Sequence, residues 1–196
     1  MRRGEICGLR WSDIDFERST ITVNRTSEWL PHMGIVFTEP KTKASNRTFK
    51  VGKHCFDMLK EYKLYQNGIR RKAGTAWAQT VQIENEKTVQ NDLLFTRWDG
   101  TLLDLNRVTT WFPKFMQEHD LPAVTVHSLR HTYASLLIAA HVPIVTVAGR
   151  LGHAQTSTTT DIYAGFIKSA DAAASDTMDA VFDHIKQLKP DEAKQA

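Results

Sequence analysis

The feature that most constrains this sequence is the stretch His127-Ser128-Leu129-Arg130-His131-Thr132-Tyr133-Ala134-Ser135. Apolar side chains recur from this stretch onward at the spacing of one helix face, at Leu129, Tyr133, Leu136, Leu137 and Ala140. The pattern predicts a helix that packs on the protein body through this face. It also predicts that His127, Arg130 and His131 project from roughly the opposite side.

An imidazole and a guanidinium held side by side suit a phosphate group. Arginine offers a planar fork of donors that matches two phosphate oxygens, and it stays charged at any accessible pH. Histidine donates a hydrogen bond or moves a proton near neutrality. Taken alone, the same spacing also fits a surface helix that carries both residues by chance.

Length and composition fit one domain, because 196 residues with 41% hydrophobic side chains give one substantial core and too little chain for two. No uninterrupted apolar run approaches membrane-spanning length, so we expect a soluble protein without membrane contact. The N-terminal residues are charged and lack an apolar signal region, which favours a cytoplasmic location. Cys7 and Cys55 lie in unrelated contexts and are expected to be reduced thiols.

The formal net charge of +3 permits a nucleic-acid partner without requiring one. Basic residues crowd the first quarter of the chain, where a basic face could neutralise backbone phosphates. They are Arg2, Arg3, Arg10, Arg18, Arg25, Lys41, Lys43, Arg47 and Lys50. From charge alone, an ordinary solvated surface is the preferred interpretation.

Alternating β-branched and apolar residues predict strands at 19–24, 34–38 and 47–51. The last two are joined by the run Pro40-Lys41-Thr42-Lys43-Ala44-Ser45-Asn46, in which Pro40 cannot donate to a ladder and Ser45-Asn46 is typical of a turn. The sequence therefore predicts a small antiparallel three-stranded sheet with a lysine-bearing turn.

Helical patterns account for most of the remaining chain. Residues 1–9 are interpreted as part of a helix, and a second helix is expected to end near Gly68. Its predicted core-packing stripe is Cys55, Met58, Leu59, Tyr62 and Tyr65. The sequence therefore favours an α+β fold that is mostly helical.

Cap residues predict the bounds of two further helices. Asp104 is the expected N-cap of a helix that runs to about His119, and Pro113 inside it predicts a kink or a late start. Pro143 suits the first turn of a helix over 144–151, and Gly152 is expected to end it.

Two more helical segments are predicted near the C-terminus. Thr158 and Asp161 resemble a capping box, which predicts a short helix containing Tyr163 and closed by Gly165. An amphipathic pattern follows between Ile167 and Ile185, and residues 189–196 are interpreted as a loose polar tail.

Five motifs, in this order along the chain, resemble the catalytic domain of the tyrosine recombinases, or integrases, of phages and mobile elements. They are Arg2-Arg3-Gly4-Glu5-Ile6, Pro40-Lys41-Thr42, His127-Ser128-Leu129-Arg130-His131-Thr132, Leu151-Gly152-His153 and Thr159-Thr160-Asp161-Ile162-Tyr163. The resemblance implies a mostly helical α+β DNA breaking-rejoining domain with a small antiparallel three-stranded sheet.

The resemblance also implies a division of the chain. Residues 1–166 are expected to form the catalytic domain, and residues 167–188 a C-terminal helix that packs in cis or on a neighbouring subunit. Residues 189–196 are expected to be flexible. The family carries further helices and a DNA-gripping domain before its first motif, so we expect an N-terminally truncated chain that binds DNA weakly and is weakly active alone.

Site roles follow from the same resemblance. Tyr163 is expected to attack DNA and form a 3′-phosphotyrosine intermediate, while Arg2 and Arg130 hold the non-bridging phosphate oxygens. Lys41 is expected to protonate the leaving 5′ hydroxyl, and Lys43 is a rival for that role.

The remaining roles belong to two histidines and a carboxylate. His127 is expected to act in general acid–base transfer, His153 to donate to the phosphate, and Glu5 to support the region around Arg2. His131 is expected to be structural, because Ser128 stands where the zinc-hydrolase helix His-Glu-x-x-His has its glutamate.

The resemblance implies chemistry without metal, ATP or another cofactor. The expected partners are double-stranded DNA, further copies of the chain in a tetrameric synapse, and accessory DNA-bending or directionality proteins. Three alternatives stay open: a type IB topoisomerase-like enzyme, a non-catalytic DNA-binding protein on the same fold, and a metal hydrolase that uses the histidines.

Overall fold

The computed structural model describes residues 1–32, 34–38, 45–82, 88–153, 157 and 159–160. Within these ranges the chain forms five α-helices and seven short strands. The helices are α1 (Arg3–Cys7), α2 (Lys53–Ala73), α3 (Leu105–Glu118), α4 (Val126–Ala139) and α5 (Ile144–Leu151). The strands are β1 (Ile14–Asp15), β2 (Thr20–Val23), β3 (Thr26–Leu30), β4 (Gly34–Thr38), β5 (Arg47–Lys50), β6 (Thr80–Gln82) and β7 (Thr88–Gln90). The architecture confirms the predicted α+β class.

A three-stranded antiparallel sheet is present, but one of its strands differs from the prediction. Its order is β1-β2-β5, with Ile21 opposite both Ile14 and Phe49. The predicted third strand, β4, instead pairs with β3 in a separate hairpin. β3 was not predicted as a strand, and it is the nearer partner for β4, because pairing with a strand a few residues away costs less loop-closure entropy than pairing with a distant one.

The apolar core of the N-terminal half lies between the three-stranded sheet and α2. Its buried members are Leu9, Ile14, Ile21, Phe56, Leu59 and Leu94. The β3–β4 hairpin lies against α1 so closely that a Cβ on Gly4 would come within 2.6 Å of the Ser27 carbonyl oxygen. This packing fixes α1, and with it the first predicted motif, on the body of the protein.

The predicted helix end at Gly68 is wrong, because α2 continues to Ala73 and ends at Gly74 with φ of 54°. A glycine inside a helix costs only about 1 kcal/mol, so the surrounding turns carry the helix through Gly68. The predicted stripe is partly wrong as well: Leu59 and Tyr62 pack in the core, but Cys55, Met58 and Tyr65 are exposed. Although α2 has 21 residues, no helix in the described ranges is long and apolar enough to cross a membrane.

The predicted caps of α3 and α5 are confirmed. The Asp104 carboxylate accepts a hydrogen bond from the Asn106 amide, and α3 runs past Pro113, so the suggested late start is wrong. Pro143 precedes α5, and Gly152 ends it in the left-handed conformation with φ of 70°. The residues at the helix ends therefore predicted where both helices lie in the sequence.

The predicted packing face of α4 is largely wrong, although Leu137 from that face does pack on the core. Its buried residues are Arg130, Ala134 and Ile138, which follow one another at four-residue spacing. Leu129 and Leu136, which were assigned to the core, are 47% and 64% exposed. The arginine assigned to the open side of the helix therefore lies on its inner face.

The neighbouring helix explains this reversal. Ala134 is fully buried against the α5 residues Val147 and Leu151, and its small side chain allows the two helices to approach closely. One turn before Ala134 on the same face, Arg130 reaches the C-terminal end of α5. The pattern of apolar residues in α4 alone does not contain this information.

Candidate active site

Three arginines converge on the C-terminal end of α5. Arg47 Nε donates to the Arg150 carbonyl at 2.9 Å, Arg130 Nη2 to the Leu151 carbonyl at 2.6 Å, and Arg2 Nη2 to the Gly152 carbonyl at 3.3 Å. The last carbonyls of a helix have no partner inside the helix and carry partial negative charge. One helix end therefore collects three positive charges, which we call the arginine cluster (Arg2, Arg47 and Arg130).

The arginine cluster joins distant parts of the chain. Arg2 immediately precedes α1, Arg47 begins β5, and Arg130 lies in the second turn of α4. The Arg150 side chain also links this helix end to α4 and β5, because it donates to the Tyr133 hydroxyl and to the Lys50 carbonyl, each at 2.8 Å. The α5 end is thus the junction at which α1, α4 and β5 meet.

Glu5 is a buried carboxylate shared by two members of the arginine cluster. Arg47 donates through Nη1 to Oε1 at 3.1 Å and through Nη2 to Oε2 at 2.9 Å, which is a two-pronged ion pair. Arg2 donates to the same carboxylate through its side chain at 3.1 Å and its backbone amide at 2.7 Å. Burial by itself raises the pKa of Glu5, but the bonds from Arg47 and Arg2 outweigh it and hold that pKa below 4.5.

Arg47 is not among the predicted site residues. A signal was nonetheless present in the strand, because residues 47, 49 and 51 share one face of a strand and two of them, Phe49 and Val51, are apolar. That spacing places Arg47 on the inward face. Its side chain is only 7% exposed.

His153 follows the α5 end directly. Its backbone amide donates to the Ala148 carbonyl at 3.1 Å, and its Nδ1 lies 2.8 Å from the hydroxyl of the fully buried Thr159. Burial, followed by the positive charges of Arg130 and Arg2, lowers the pKa of His153 to about 4. At neutral pH this imidazole is therefore uncharged, and if the Thr159 hydroxyl donates to Nδ1, the proton at Nε2 can be donated to a ligand.

His127 and His131 lie one helical turn apart on α4, with ring centroids 4.7 Å apart in an edge-to-face arrangement. Partial removal from water, with repulsion from His131 and Arg130, lowers the pKa of His127 below 6.5. Arg130 and Arg2 affect both His127 and His153, so both imidazoles lie within electrostatic reach of the arginine cluster. We use the name cationic site for the arginine cluster together with Glu5, His127, His131 and His153.

The structure brings five of the seven predicted site residues together: Arg2, Glu5, His127, Arg130 and His153. Tyr163 and Lys41 lie outside the described residues, as does Lys43. Among the residues that the structure describes, no three histidine, cysteine, aspartate or glutamate side chains cluster as metal ligands would.

Several basic residues of the first quarter form ion pairs with carboxylates among the described positions. Arg18 pairs with Asp15, Arg25 with Asp13, and Arg47 with Glu5. Arg2 also pairs with Glu5, but 45% of its side chain is exposed, whereas that of Arg47 is 7% exposed. An incoming anion therefore meets concentrated positive charge at the α5 end.

Comparison with known proteins gives consistent results. The chain matches the family model described as "Phage integrase family" over residues 1–168. It is 30% identical over 190 residues to a tyrosine recombinase XerC-like protein of Caldanaerobacter subterraneus subsp. tengcongensis, covering 93% of this chain and 46% of that protein. It is 28% identical over 180 residues to the ICEBs1 integrase of Bacillus subtilis, covering 91% of this chain and 45% of that one.

Solved structures show the same fold. The Tn1549 transposon integrase, in complex with transposon right end DNA, superposes with a TM-score of 0.69 at 22% identity, covering 83% of this chain and 50% of that chain. The present chain spans about half the length of the curated relatives it matches.

Proposed function

This chain belongs to the phage integrase family of tyrosine recombinases, and from that membership we propose that its cationic site breaks and rejoins DNA in site-specific recombination. One observation carries the proposal: three guanidiniums meet at one helix end, within electrostatic reach of the imidazoles of His127 and His153. Such a concentration of cations suits a phosphodiester whose negative charge increases as it is attacked.

Arg2 and Arg130 are proposed to hold the non-bridging oxygens of the scissile phosphate. Arg2 is the more exposed of the two and can use its fork of donors directly. Arg130 is 6% exposed and held by the Leu151 carbonyl, so its charge is poorly screened by water and is already in position before DNA arrives.

Tyr163 is proposed to be the nucleophile and Lys41 the acid. The Tyr163 oxygen forms a bond to phosphorus, the bond from phosphorus to the 5′ oxygen breaks, and Lys41 protonates that oxygen as it leaves. Attack by a 5′ hydroxyl on the phosphotyrosine then reverses these steps and releases the tyrosine. Because the covalent link conserves the phosphodiester, no ATP is consumed, and the proposed chemistry uses no metal or other cofactor.

The histidines are proposed to move and share protons around the phosphate. His127 and His153 have lowered pKa values, so both begin neutral at physiological pH and can act as neutral donors or acceptors. A bound phosphate brings negative charge that raises both pKa values. His127 can then accept a proton from Tyr163 during attack, and His153 can strengthen its bond to a phosphate oxygen.

The partners of this activity are proposed from the family. Double-stranded DNA is the substrate, and further copies of the chain, with accessory DNA-bending or directionality proteins, complete a recombination complex. We place this activity in the cytoplasm of a bacterial or phage-infected cell, since the similar proteins come from bacteria and phages.

A covalent trapping experiment tests the proposal. The chain is incubated with labelled duplexes of varied sequence that carry a nick, so that the freed short strand diffuses away and the protein–DNA adduct accumulates on a denaturing gel. We expect the wild-type chain to form an adduct and Tyr163→Phe to form none while still binding DNA. Tyr65→Phe is the matched control, because Tyr65 is exposed on α2 and should leave the adduct unchanged.

Other outcomes point to other functions. An adduct that persists in Tyr163→Phe would refute the nucleophile assignment. DNA binding without any adduct would favour a non-catalytic DNA-binding protein, and relaxation of supercoiled plasmid without strand exchange would favour a topoisomerase-like enzyme. Loss of activity on addition of a chelator would favour a metal hydrolase.

A further inference from the structure

The Arg47 side chain makes four hydrogen bonds within the protein. Besides its two bonds to Glu5, it donates to the Arg150 carbonyl at 2.9 Å and to the Ser45 carbonyl at 3.0 Å. Its side chain is 7% exposed, whereas that of Arg2 is 45% exposed. Arg47 therefore faces the protein and Arg2 faces the solvent, although both bind the same carboxylate.

The charges of these residues do not cancel. Arg2 and Arg47 together carry two positive charges and Glu5 carries one negative charge, so one net positive charge remains. The hydrogen-bond geometry shows which arginine is less neutralised by Glu5. The Arg47–Glu5 pair has two side-chain bonds between nearly buried groups, while Arg2 gives Glu5 a single side-chain bond. Glu5 is thus neutralised chiefly by Arg47.

We propose that Arg47 is a positioning residue that neutralises Glu5 and thereby leaves the positive charge of Arg2 available to the DNA phosphate. This inference rests on the proposed function and extends it to a residue outside the predicted catalytic set. Without Arg47, the buried Glu5 carboxylate is neutralised by Arg2. The Arg2–Glu5 pair that faces DNA then has no net charge.

The backbone around Gly152 shows that Arg47 also supports the turn that leads to His153. A Cβ built on Gly152 would lie 2.6 Å from Arg47 Nη1 and 2.9 Å from its Cζ. The guanidinium therefore packs directly on the α5 cap, with no space for a side chain between them. Arg47 contacts the same helix end that holds Arg2 and Arg130.

A double-mutant cycle tests the proposal through the single-turnover rate of adduct formation at saturating nicked duplex. We expect Arg47→Gln to slow the rate about 100-fold, the order expected for loss of one charge-stabilising group. Glu5→Gln should slow it less, because Arg2 keeps its charge. The decisive variant is Glu5→Gln/Arg47→Gln, whose rate should lie within about ten-fold of that of Glu5→Gln, since no carboxylate remains to neutralise.

The opposite pattern overturns the proposal. If Arg47→Gln is as harmful in the Glu5→Gln background as in the wild type, Arg47 acts through its carbonyl contacts rather than through Glu5. If Arg47→Gln alone fails to fold, the two proteins that carry Glu5→Gln still decide, because a double-variant rate more than about ten-fold below that of Glu5→Gln overturns the proposal. Arg18→Gln is the matched control, because Arg18 pairs with Asp15 on the surface and should not alter the rate.

A second measurement does not depend on DNA chemistry. The pKa of the Glu5 carboxyl, followed by carbon NMR in selectively labelled protein, should rise in Arg47→Gln, because the Arg47 hydrogen bond is the largest influence that lowers it. An unchanged Glu5 pKa overturns the inference. A wild-type chain that forms no adduct overturns the proposed function instead, and the Glu5 titration then judges Arg47 separately.

Discussion

In two regions of the molecule, side chains donate hydrogen bonds to backbone carbonyls that helices and strands leave unpaired. The two regions use different kinds of donor. At the α5 end the donors are the arginine cluster. In the segment beside α2, the buried Gln66 amide donates to the Leu93 carbonyl at 3.1 Å and the Leu94 carbonyl at 2.9 Å, while its oxygen accepts from Trp11 Nε1 at 2.7 Å. Both regions solve the same hydrogen-bonding problem.

The difference shows that charge is not needed to satisfy such carbonyls. A neutral amide does this beside α2, whereas burying cations costs free energy that an ion pair only partly returns. Among the described residues, Glu5 pairs with Arg2 and Arg47, and three cations at one helix end therefore indicate a site adapted to an anion. The comparison predicts that changes at the α5 end mainly affect activity and changes at Gln66 mainly affect stability.

The strongest test of this division is Arg130→Ala. We expect the rate of adduct formation to fall about 10²- to 10³-fold, because a preorganised charge beside the phosphate is lost. Arg71→Ala, an exposed change at the end of α2, is the control and should leave the rate unchanged. An Arg130→Ala rate within about three-fold of the wild type, outside the range expected for such a group, would mean that this arginine serves structure alone.

A test of intermediate size is Gln66→Leu. It leaves the Leu93 and Leu94 carbonyls and the Trp11 indole N–H without their partner, so the free energy of unfolding should fall by about 1–3 kcal/mol. The loss is measured by urea denaturation, with the exposed Asn67→Leu as control. The adduct rate of the folded protein should stay unchanged, and a large loss of rate would break the comparison.

The smallest expected effect is on the pH dependence of stability. The pKa of His153 is about 4 in the folded protein and 6.5 ordinarily, so the unfolded chain binds the proton more readily between these values. Stability should therefore decrease as pH falls from about 6.5 towards 4. Glu5 acts in the same direction at lower pH, because its pKa is lowered and its contribution is lost on protonation.

Melting temperatures measured between pH 4.5 and 7, a window set by these pKa values, test this prediction. His153→Gln should reduce the decline in melting temperature on acidification, and His54→Gln, on the exposed surface of α2, should not. An equal decline in His153→Gln would assign the acid sensitivity to other groups.

Features that depend on a few neighbouring residues could be predicted from the sequence. Asp104 caps α3 through the Asn106 amide, and Gly152 ends α5 in the left-handed conformation that glycine favours. The His-x-x-Arg and Leu-Gly-His motifs likewise led to residues that do meet in space.

Features that depend on distant partners could not be predicted. Arg130 is buried where it donates to the Leu151 carbonyl, 21 residues later in the chain. The apolar pattern of α4 does not contain this contact and therefore indicated the wrong face. Arg47 escaped notice because its partner, Glu5, lies 42 residues earlier. The pairing of β4 with β3 was missed for a different reason: the two strands are adjacent in the chain, but β3 was not recognised as a strand.

Gly152 has a consequence for anyone who engineers this chain. Replacing glycines with alanine is a common way to raise thermal tolerance, since it restricts the unfolded chain. At this position the left-handed backbone and the adjacent guanidinium both oppose a methyl group. A stabilisation programme that treated all glycines alike would strain the α5 end at this position, as it would at Gly4, where a Cβ would meet the Ser27 carbonyl oxygen.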